Sequence, residues 1–600
     1  MLSDAAESES NWGDTTGDAL AEALAVLGWP VTAAGVRRAS DVVALVGVCA
    51  ALVATTLVPP VAPLALVVAA GGWYGVRRLP VAVASARETA ALGAAPVVVS
   101  HAVLRMRLEP TVERAGAFAA SADDGLLGRS LAEHVRRARG TPASGLGAWG
   151  DRWGERFPAL RRATSLVVAA DRAPSTERAR SLDRAMDAIL DGTRDRTASA
   201  AAALGGPVTA LYAFGVLLPL ALVAVLPAAR VAGVGVTLPV VVVLYDVVLP
   251  FVLVVAGGWL LLRRPATFPA TPVPADHPDL PARRWPVLVG ALAVATFAWV
   301  VVSRTLPAWM TPLASLGTGV GVALVGWFRP AVAVRERTRS VESGLSDALY
   351  LVGRRVAEGR AVEAAIETAA EEVMGPMGAV LTDTARRQRT LRVGVDEALY
   401  GEHGALATVP STRVESTLRL LVVAAREGSP AGDALVVVGD HVEQLRSVER
   451  AARRDLRRVT TTLTNTAAVF GPLVGGVTVA LAAAMDGRSL AGLSSVSSAS
   501  SMPPSGTVGT APSTAVVGAT GASGTSASSS AATTAAALPT SALALAVGVY
   551  VLALAALLTA LATGLEHGAD RSRIGYRVGL ALPTATALYL TAFLVAETLT

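Results

Sequence analysis

Nine apolar runs of membrane-spanning length constrain this chain more than any other feature of its sequence. Apolar residue types make up 52% of its 600 residues, a larger share than a soluble domain of ordinary composition has. A helix needs about 20 predominantly apolar residues to cross the hydrocarbon core of a bilayer. The sequence therefore predicts an all-α, polytopic membrane protein with about nine transmembrane helices. The predicted spans are Val42–Val58, Ala62–Val76, Pro207–Leu226, Leu238–Leu262, Pro286–Val302, Leu306–Phe328, Leu463–Ala484, Ala542–Ala562 and Val578–Ala596.

Arginine sets the predicted orientation of these spans. The chain has no lysine, so its 52 basic residues are all arginine. Pairs of them flank the spans, for example Arg37 and Arg38 before the first and Arg263 and Arg264 after the fourth. Because basic residues are retained on the cytoplasmic side, the pattern predicts a multi-pass protein of the cell membrane with a cytoplasmic N-terminus. The same pattern explains the net charge of +5, so membrane lipid is an expected partner and nucleic acid is not.

Two long polar regions separate the spans, and a third segment has a different composition. Residues 79–206 and 329–461 carry apolar side chains at three- and four-residue spacing, which is typical of helices, and are predicted to be cytoplasmic helical bundles. Residues 486–540 are rich in Ser, Thr, Gly and Ala and are predicted to be a flexible extracellular loop. The other predicted segments are a cytoplasmic N-terminal segment (1–39), transmembrane pairs (40–78, 207–262 and 286–328), a cytoplasmic linker (263–285), one transmembrane helix (462–485) and two final transmembrane helices (541–600).

The sequence contains no recognisable catalytic motif and no metal-binding motif. Cys49 is the only cysteine, which excludes an intramolecular disulfide and a cysteine metal site. The six histidines do not have the HExxH spacing of a metal site, and the chain has no GxxxxGK[ST] phosphate-binding loop. We therefore predict that the protein is not an enzyme and binds no metal or cofactor.

A short segment occurs twice. "LVVAADRAPS" begins at Leu166 and "LVVAAREGSP" at Leu421, and the third and seventh predicted spans are separated by nearly the same 255 residues. A separation shared by a motif and by spans predicts an internal duplication, with the first copy degenerate. In the second copy, Gly428 is suited to ending one helix, Ser429 to capping the next, and Pro430 to its first turn.

The second copy resembles a known family in three stretches. These are "ALYLVGRRVAEGRAVEAAIETAA" with Gly359 at its turn, "LRVGVDEALY" with Gly394, and "LRLLVVAAREGSPAGDAL" with Gly428. They are similar to the type II secretion system F domain of the type IV pilus assembly platforms (PilC, TadC and FlaJ), in its archaeal form. The resemblance implies a membrane platform that couples a cytoplasmic secretion ATPase to the insertion of pilin-like subunits into a filament.

Two groups of residues are candidate sites. A basic cluster on a predicted cytoplasmic helix would face the ATPase that the resemblance implies, or is a solvated helix face; it consists of Arg386, Arg387, Arg389 and Arg392. Asp246 lies within the fourth predicted span, where a carboxylate is costly and is a functional candidate. It would belong to a proton path, hold a pilin's charged N-terminus, or bond a neighbouring helix. Asn465, at the start of the seventh span, is predicted to bond another helix.

Two other functions remain open at the level of sequence. Repeated halves and an intramembrane carboxylate also occur in secondary transporters. A membrane scaffold or sensor is a third class. The large helical regions in both halves favour the filament platform. The sequence leaves open whether the protein forms a homodimer.

Overall fold

The structure is a computed structural model, and it describes residues 19–57, 62–121, 123, 125–231, 237–264, 273–274, 276–427, 430–484, 540–568 and 570–599. These residues form helices and turns and no strand, which confirms the predicted all-α class. The predicted extracellular loop, except for Thr540, lies outside the described residues, as do Gly428 and Ser429.

The helices of the first half follow a short helix α1 (19–27). They are α2 (Ala33–Leu57), α3 (Ala62–Ala91), α4 (Ala95–Leu108), α5 (Val112–Ala120), α6 (Leu126–Ala138), α7 (Gly145–Gly154), α8 (Pro158–Ala170), α9 (Ser175–Tyr212), α10 (Leu218–Val231), α11 (Leu238–Val242) and α12 (Leu249–Leu262).

The helices of the second half are longer on average. They are α13 (Trp285–Thr305), α14 (Met310–Ser343), α15 (Leu345–Ala357), α16 (Val362–Glu372), α17 (Pro376–Leu391), α18 (Val395–Tyr400), α19 (Thr412–Glu427), α20 (Pro430–Asn465), α21 (471–484), α22 (Thr540–His567) and α23 (Arg571–Leu599).

Eight stretches of described helix are long and apolar enough to cross a membrane. They are Ala69–Arg107, Ser175–Val225, Leu238–Leu262, Trp285–Thr305, Met310–Ala357, Gly432–Ala484, Thr540–His567 and Arg571–Leu599. The prediction of a multi-pass membrane protein is confirmed at this level. The first predicted span falls in α2, where several side chains lie outside the described residues, so the count of nine stays a prediction.

The membrane part of the molecule is built around α22. In its most apolar stretch 67% of the residues are buried, against 6% in α13, which presents its side chains outward. The hydroxyl of Tyr550 on α22 donates a hydrogen bond of 2.7 Å to the carbonyl of Gly215, and the Tyr550 ring meets that of Tyr245 edge to face. These polar groups are satisfied inside the apolar core, as a membrane interior requires.

In the described part of the chain, three spanning helices contain a widened π turn, and each π turn is followed by a proline. The turns are Ala213–Leu217, Val243–Val248 and Thr466–Phe470, and the prolines are Pro219, Pro250 and Pro472. Proline has no backbone N–H, so the carbonyl four residues earlier loses its helical donor and the helix widens there. The carbonyl freed by Pro219 is that of Gly215, which accepts the Tyr550 hydroxyl instead.

Outside the membrane part, two bundles each have an apolar core. The first bundle consists of α4–α8 with the start of α9, and the second of α15–α19 with the start of α20. The helix α20 belongs to both: Val438 and Val442 pack in the second core, and Leu445 and Val448 in the first. Farther along, Leu463 joins the membrane core. One helix therefore connects both bundles to the spans.

Candidate functional site

The predicted arginine cluster lies on and just beyond α17, and two of its members bind the same carboxylate. Arg387 forms an ion pair of 2.7 Å with Asp383, and Arg386 also pairs with Asp383. Burial raises the pKa of Asp383, but hydrogen bonds from Arg387 and Arg386 outweigh this effect and leave the pKa below its usual value. Both arginines are therefore partly neutralised within the bundle.

Arg389 is paired as well, but it remains accessible. Its guanidinium lies 2.7 Å from Glu367 on α16, and 66% of its side chain is exposed. Arg386 is similarly exposed, whereas Arg387 is mostly covered. A partner approaching this side of the bundle would meet Arg386 and Arg389 first.

Arg392 differs from the other three because of its backbone. It ends α17 in the left-handed conformation with φ +55°, and it is the one non-glycine residue with positive φ in the described part of the chain. Gly394, predicted at this turn, has φ −72° and precedes α18 as its N-cap. The backbone conformation that favours glycine is thus found at Arg392 and not at Gly394.

Replacing Arg392 by glycine is expected to stabilise the protein by about 0.5–1 kcal/mol. The left-handed conformation costs a residue with a Cβ roughly 1–2 kcal/mol, and the extra chain entropy of glycine offsets part of the gain. Denaturant unfolding in detergent micelles measures the change. Arg389→Gly, in the last turn of α17, should lose up to about 1 kcal/mol. A loss of stability in Arg392→Gly would show that the arginine side chain is needed at this position.

The other predicted turn residues are placed as follows. Gly359 lies between α15 and α16 with φ +89°, and its N–H donates to the carbonyl of Val356 at 2.9 Å. This left-handed end is where a glycine is favoured. Pro430 is the first residue of α20, as predicted for a helix start.

The two intramembrane polar residues have different surroundings. Asp246 lies in the second π turn, and its Oδ1 is buried without a hydrogen-bond partner among the described residues. Asn465 is the last residue of α20 before the third π turn. Its side chain is exposed and makes no hydrogen bond to another helix within the described part of the chain.

A cluster of charged residues that the sequence did not single out lies where the bundles meet the membrane core. Arg335 on α14 pairs with Asp570, which is 3% exposed and precedes α23. Glu566, at the end of α22, accepts hydrogen bonds from Thr460 at 2.7 Å and from Arg577 at 3.1 Å. These contacts join helices that are up to 235 positions apart in sequence.

A second part of the same cluster links the second bundle to α20 and α14. Glu449 forms an ion pair of 3.2 Å with Arg413 and another with Arg453. Glu342 accepts a hydrogen bond of 2.7 Å from Ser411. The only sign of this cluster in the sequence is the presence of acidic residues next to arginine-rich span ends, at Glu566 and Asp570.

Comparison of the chain with protein-family models, with curated proteins and with solved structures found no match. No group of three or more His, Cys, Asp or Glu side chains suited to a metal ion occurs among the residues that the structure describes.

Proposed function

We propose that this protein is the membrane platform of a type IV pilus-like filament or secretion machine. In this role a cytoplasmic secretion ATPase acts on the two bundles, and the spans pass pilin-like subunits from the bilayer into the filament. An apolar pilin helix leaves lipid readily only for another apolar environment, which the filament core offers. The resemblance of the second bundle's sequence to this family is the starting point.

The observation that carries the proposal is the continuity of α20 with α21. Residues 430–484 are helical without interruption, and they contribute to both bundle cores and to the membrane core. The helices α9 and α10 run in the same way from the first bundle into the membrane part. A displacement of either bundle would therefore be transmitted to the spans through a rigid element.

An internal duplication, with a degenerate first copy, is part of the proposal. The long helices α9 and α20 begin at Ser175 and Pro430, which are 255 positions apart, the separation of the two "LVVAA" segments. Both helices continue through a π turn that precedes a proline, Pro219 in one and Pro472 in the other. A shared order of helices at a shared separation is what a duplicated unit produces.

On this proposal both bundles lie in the cytoplasm and the ATPase contacts the α17 side of the second bundle. Arg386 and Arg389 are the exposed members of the cluster there, with 69% and 66% of the side chain exposed. Charge at the rim of an interface mainly sets the rate of association and the choice of partner. Reversing one such charge is therefore a suitable test.

We expect affinity purification of the full chain in mild detergent to capture a secretion ATPase, and Arg389→Glu to reduce that capture several-fold at low salt. The matched control is Arg137→Glu on α6, the corresponding helix of the first bundle. Arg137 is 65% exposed and pairs with Glu133 on its own helix, whereas Arg389 is 66% exposed and pairs with Glu367 on α16. Immunoblotting for the ATPase at matched expression, together with counts of surface filaments, gives the readout.

Three results would count against the proposal. Absence of any secretion ATPase with the unaltered chain, together with normal filaments after deletion of its gene, rejects the platform role. Loss of capture with Arg137→Glu but not with Arg389→Glu assigns the motor to the first bundle. Equal effects of both variants leave the α17 side without a special role.

The Oδ1 of Asp246 is buried without a hydrogen-bond partner among the described residues, which favours secondary transport as a second candidate function. A carboxyl group without a protein partner inside a membrane is the kind of group that carries protons or binds a cation. Proton-coupled uptake into sealed vesicles, lost in Asp246→Asn, would support this candidate. Filament loss without any uptake would reject it.

A further inference from the structure

A cavity of about 150 Å³ lies at the centre of the charged cluster, between the bundles and the membrane core. Six elements reach it: the start of α4, the end of α12, the middle of α14, the start of α19, the middle of α20 and the end of α22. Arginine is the commonest charged residue of its wall, which includes Arg264, Arg335, Arg339, Arg413 and Arg453.

The carboxylates of the wall are already bound. Glu449 is shared by Arg413 and Arg453. Glu566 accepts hydrogen bonds from Thr460 and Arg577.

The remaining acidic groups are engaged in the same way. Asp123 accepts the backbone N–H groups of Gly125 and Gly128 at 3.1 and 2.9 Å. Glu342 accepts the Ser411 hydroxyl at 2.7 Å. The wall thus has five arginines against four carboxylates, and each carboxylate is held by another group.

Two arginines of the wall, Arg264 and Arg339, have no ion pair among the described residues. The Nε of Arg264 is buried and makes no hydrogen bond. Burial and the nearby charge of Arg453 lower the pKa of Arg264 to about 10. The guanidinium of Arg264 lies against Gly568, where a Cβ would come within 2.5 Å of its Nη1. A glycine at that position leaves room for the guanidinium.

We propose that this cavity binds a phosphate group, held by Arg264 and Arg339 and flanked by Arg453. Guanidinium groups are well suited to phosphate oxygens, which they bind through paired N–H donors. A bound phosphate supplies the negative charge that the wall lacks, and it gives buried donors an acceptor. The site is formed only when both bundles and the spans are in contact, because its wall draws residues from all three.

The size and position of the cavity narrow the source of the phosphate. A cavity of about 150 Å³ holds a molecule the size of benzene, whereas drug-sized ligands occupy about 300–1,000 Å³. A single phosphate group fits this volume. Arg264 follows the apolar helix α12 by two residues, and Glu566 and His567 end α22. These ends of apolar helices border the cavity, so an anionic lipid headgroup is one source of the phosphate and a free phosphate ion is the other.

The test uses the full chain, purified and delipidated in a non-ionic detergent. Thermal unfolding is followed while inorganic phosphate, phosphatidylglycerol or phosphatidylcholine is added at constant ionic strength. We expect phosphate or phosphatidylglycerol to raise the unfolding midpoint. Arg264→Gln and Arg339→Gln should each weaken the apparent affinity about tenfold or more. Stabilisation by inorganic phosphate identifies a soluble source, and stabilisation by phosphatidylglycerol alone identifies a lipid source.

Arg337→Gln and Arg454→Gln are the matched controls, since both side chains are exposed and lie next to the site on α14 and α20. They should bind phosphate as the unaltered chain does. Without phosphate, Arg264→Gln should raise the unfolding midpoint, because it removes a buried, unpaired charge. This reversal of sign separates a binding role from a purely structural one.

The phosphate site is contradicted by any of three outcomes. These are no response to either anion, equal stabilisation by phosphatidylcholine, and equal weakening in the two control variants. A lower midpoint of Arg264→Gln in phosphate-free detergent would also overturn it, because the charge would then be stabilising without a ligand. The site does not depend on the filament role, and each stands or falls by its own experiment.

Discussion

Alanine at Asp570 is expected to lower the free energy of unfolding by about 3–5 kcal/mol, the cost of breaking a buried ion pair by removing one partner. Asp570 is 3% exposed and its partner Arg335 is 15% exposed. Removing the carboxylate leaves the guanidinium of Arg335 buried without its counter-charge. Asp570 also accepts the backbone N–H of Ser572 at 3.0 Å, so the substitution removes the N-cap of α23 as well.

Two further variants separate these effects. Asp570→Asn keeps a side-chain acceptor for the cap but loses the charge, so it isolates the ion pair. The double variant Arg335→Met with Asp570→Asn should recover most of the lost stability, since a buried pair replaced by uncharged groups is often neutral. Glu336→Ala, on the exposed side of α14, is the control and should change stability by less than about 0.5 kcal/mol. Unfolding in micelles supplies the values, and a small effect of Asp570→Ala would show that water reaches the pair.

The helical class and the membrane location were predictable because the bilayer imposes them. A chain in lipid must satisfy its backbone polar groups within each segment, so long apolar runs become helices. The extent of the helices was less predictable. The third predicted span, Pro207–Leu226, is the apolar end of a helix that begins at Ser175. A change from polar to apolar residues marks the membrane boundary, but it does not end a helix.

The π turns show a different limit of prediction from sequence. The prolines at 219, 250 and 472 are visible in the apolar runs, and each of them removes a helical donor. The sequence therefore contains the cause of the widened turns. It does not tell which side chain satisfies the freed carbonyl, because Tyr550 and Gly215 are 335 positions apart.

Some contacts of the candidate sites could be predicted from the sequence, and others could not. The pairing of Arg387 with Asp383 follows from their four-residue separation on a helix. The pairing of Arg389 with Glu367 bridges two helices, and it depends on how α16 and α17 pack. The charged cavity is the extreme case, because its wall comes from six elements. Local pattern predicts contacts within a helix, whereas such a cavity depends on the whole packing arrangement.

A larger side chain should destabilise the second bundle most where α15 and α20 cross. A Cβ on Gly432 would lie 2.7 Å from the Cα of Ala357 and 2.8 Å from the carbonyl oxygen of Gly353. On the facing helix, a Cβ on Gly353 would lie 2.9 Å from the backbone nitrogen of Val436. Backbone atoms cannot move aside as the end of a flexible side chain can, so a larger residue must separate the two helices.

We expect Gly432→Leu to destabilise the protein by about 3 kcal/mol, at the upper end of the usual cost of overpacking. Gly205→Leu is the control, because a Cβ at Gly205, within helix α9, has nothing within 4 Å. Leucine favours a helix over glycine, so this control should be neutral or slightly stabilising. Thermal unfolding in micelles and capture of the ATPase are measured for both variants. If α20 transmits motor force, Gly432→Leu should also lose capture or filaments while Gly205→Leu keeps both. Equal stability of the two variants would show that α15 and α20 do not cross closely, and the mechanical coupling through α20 would lose its basis.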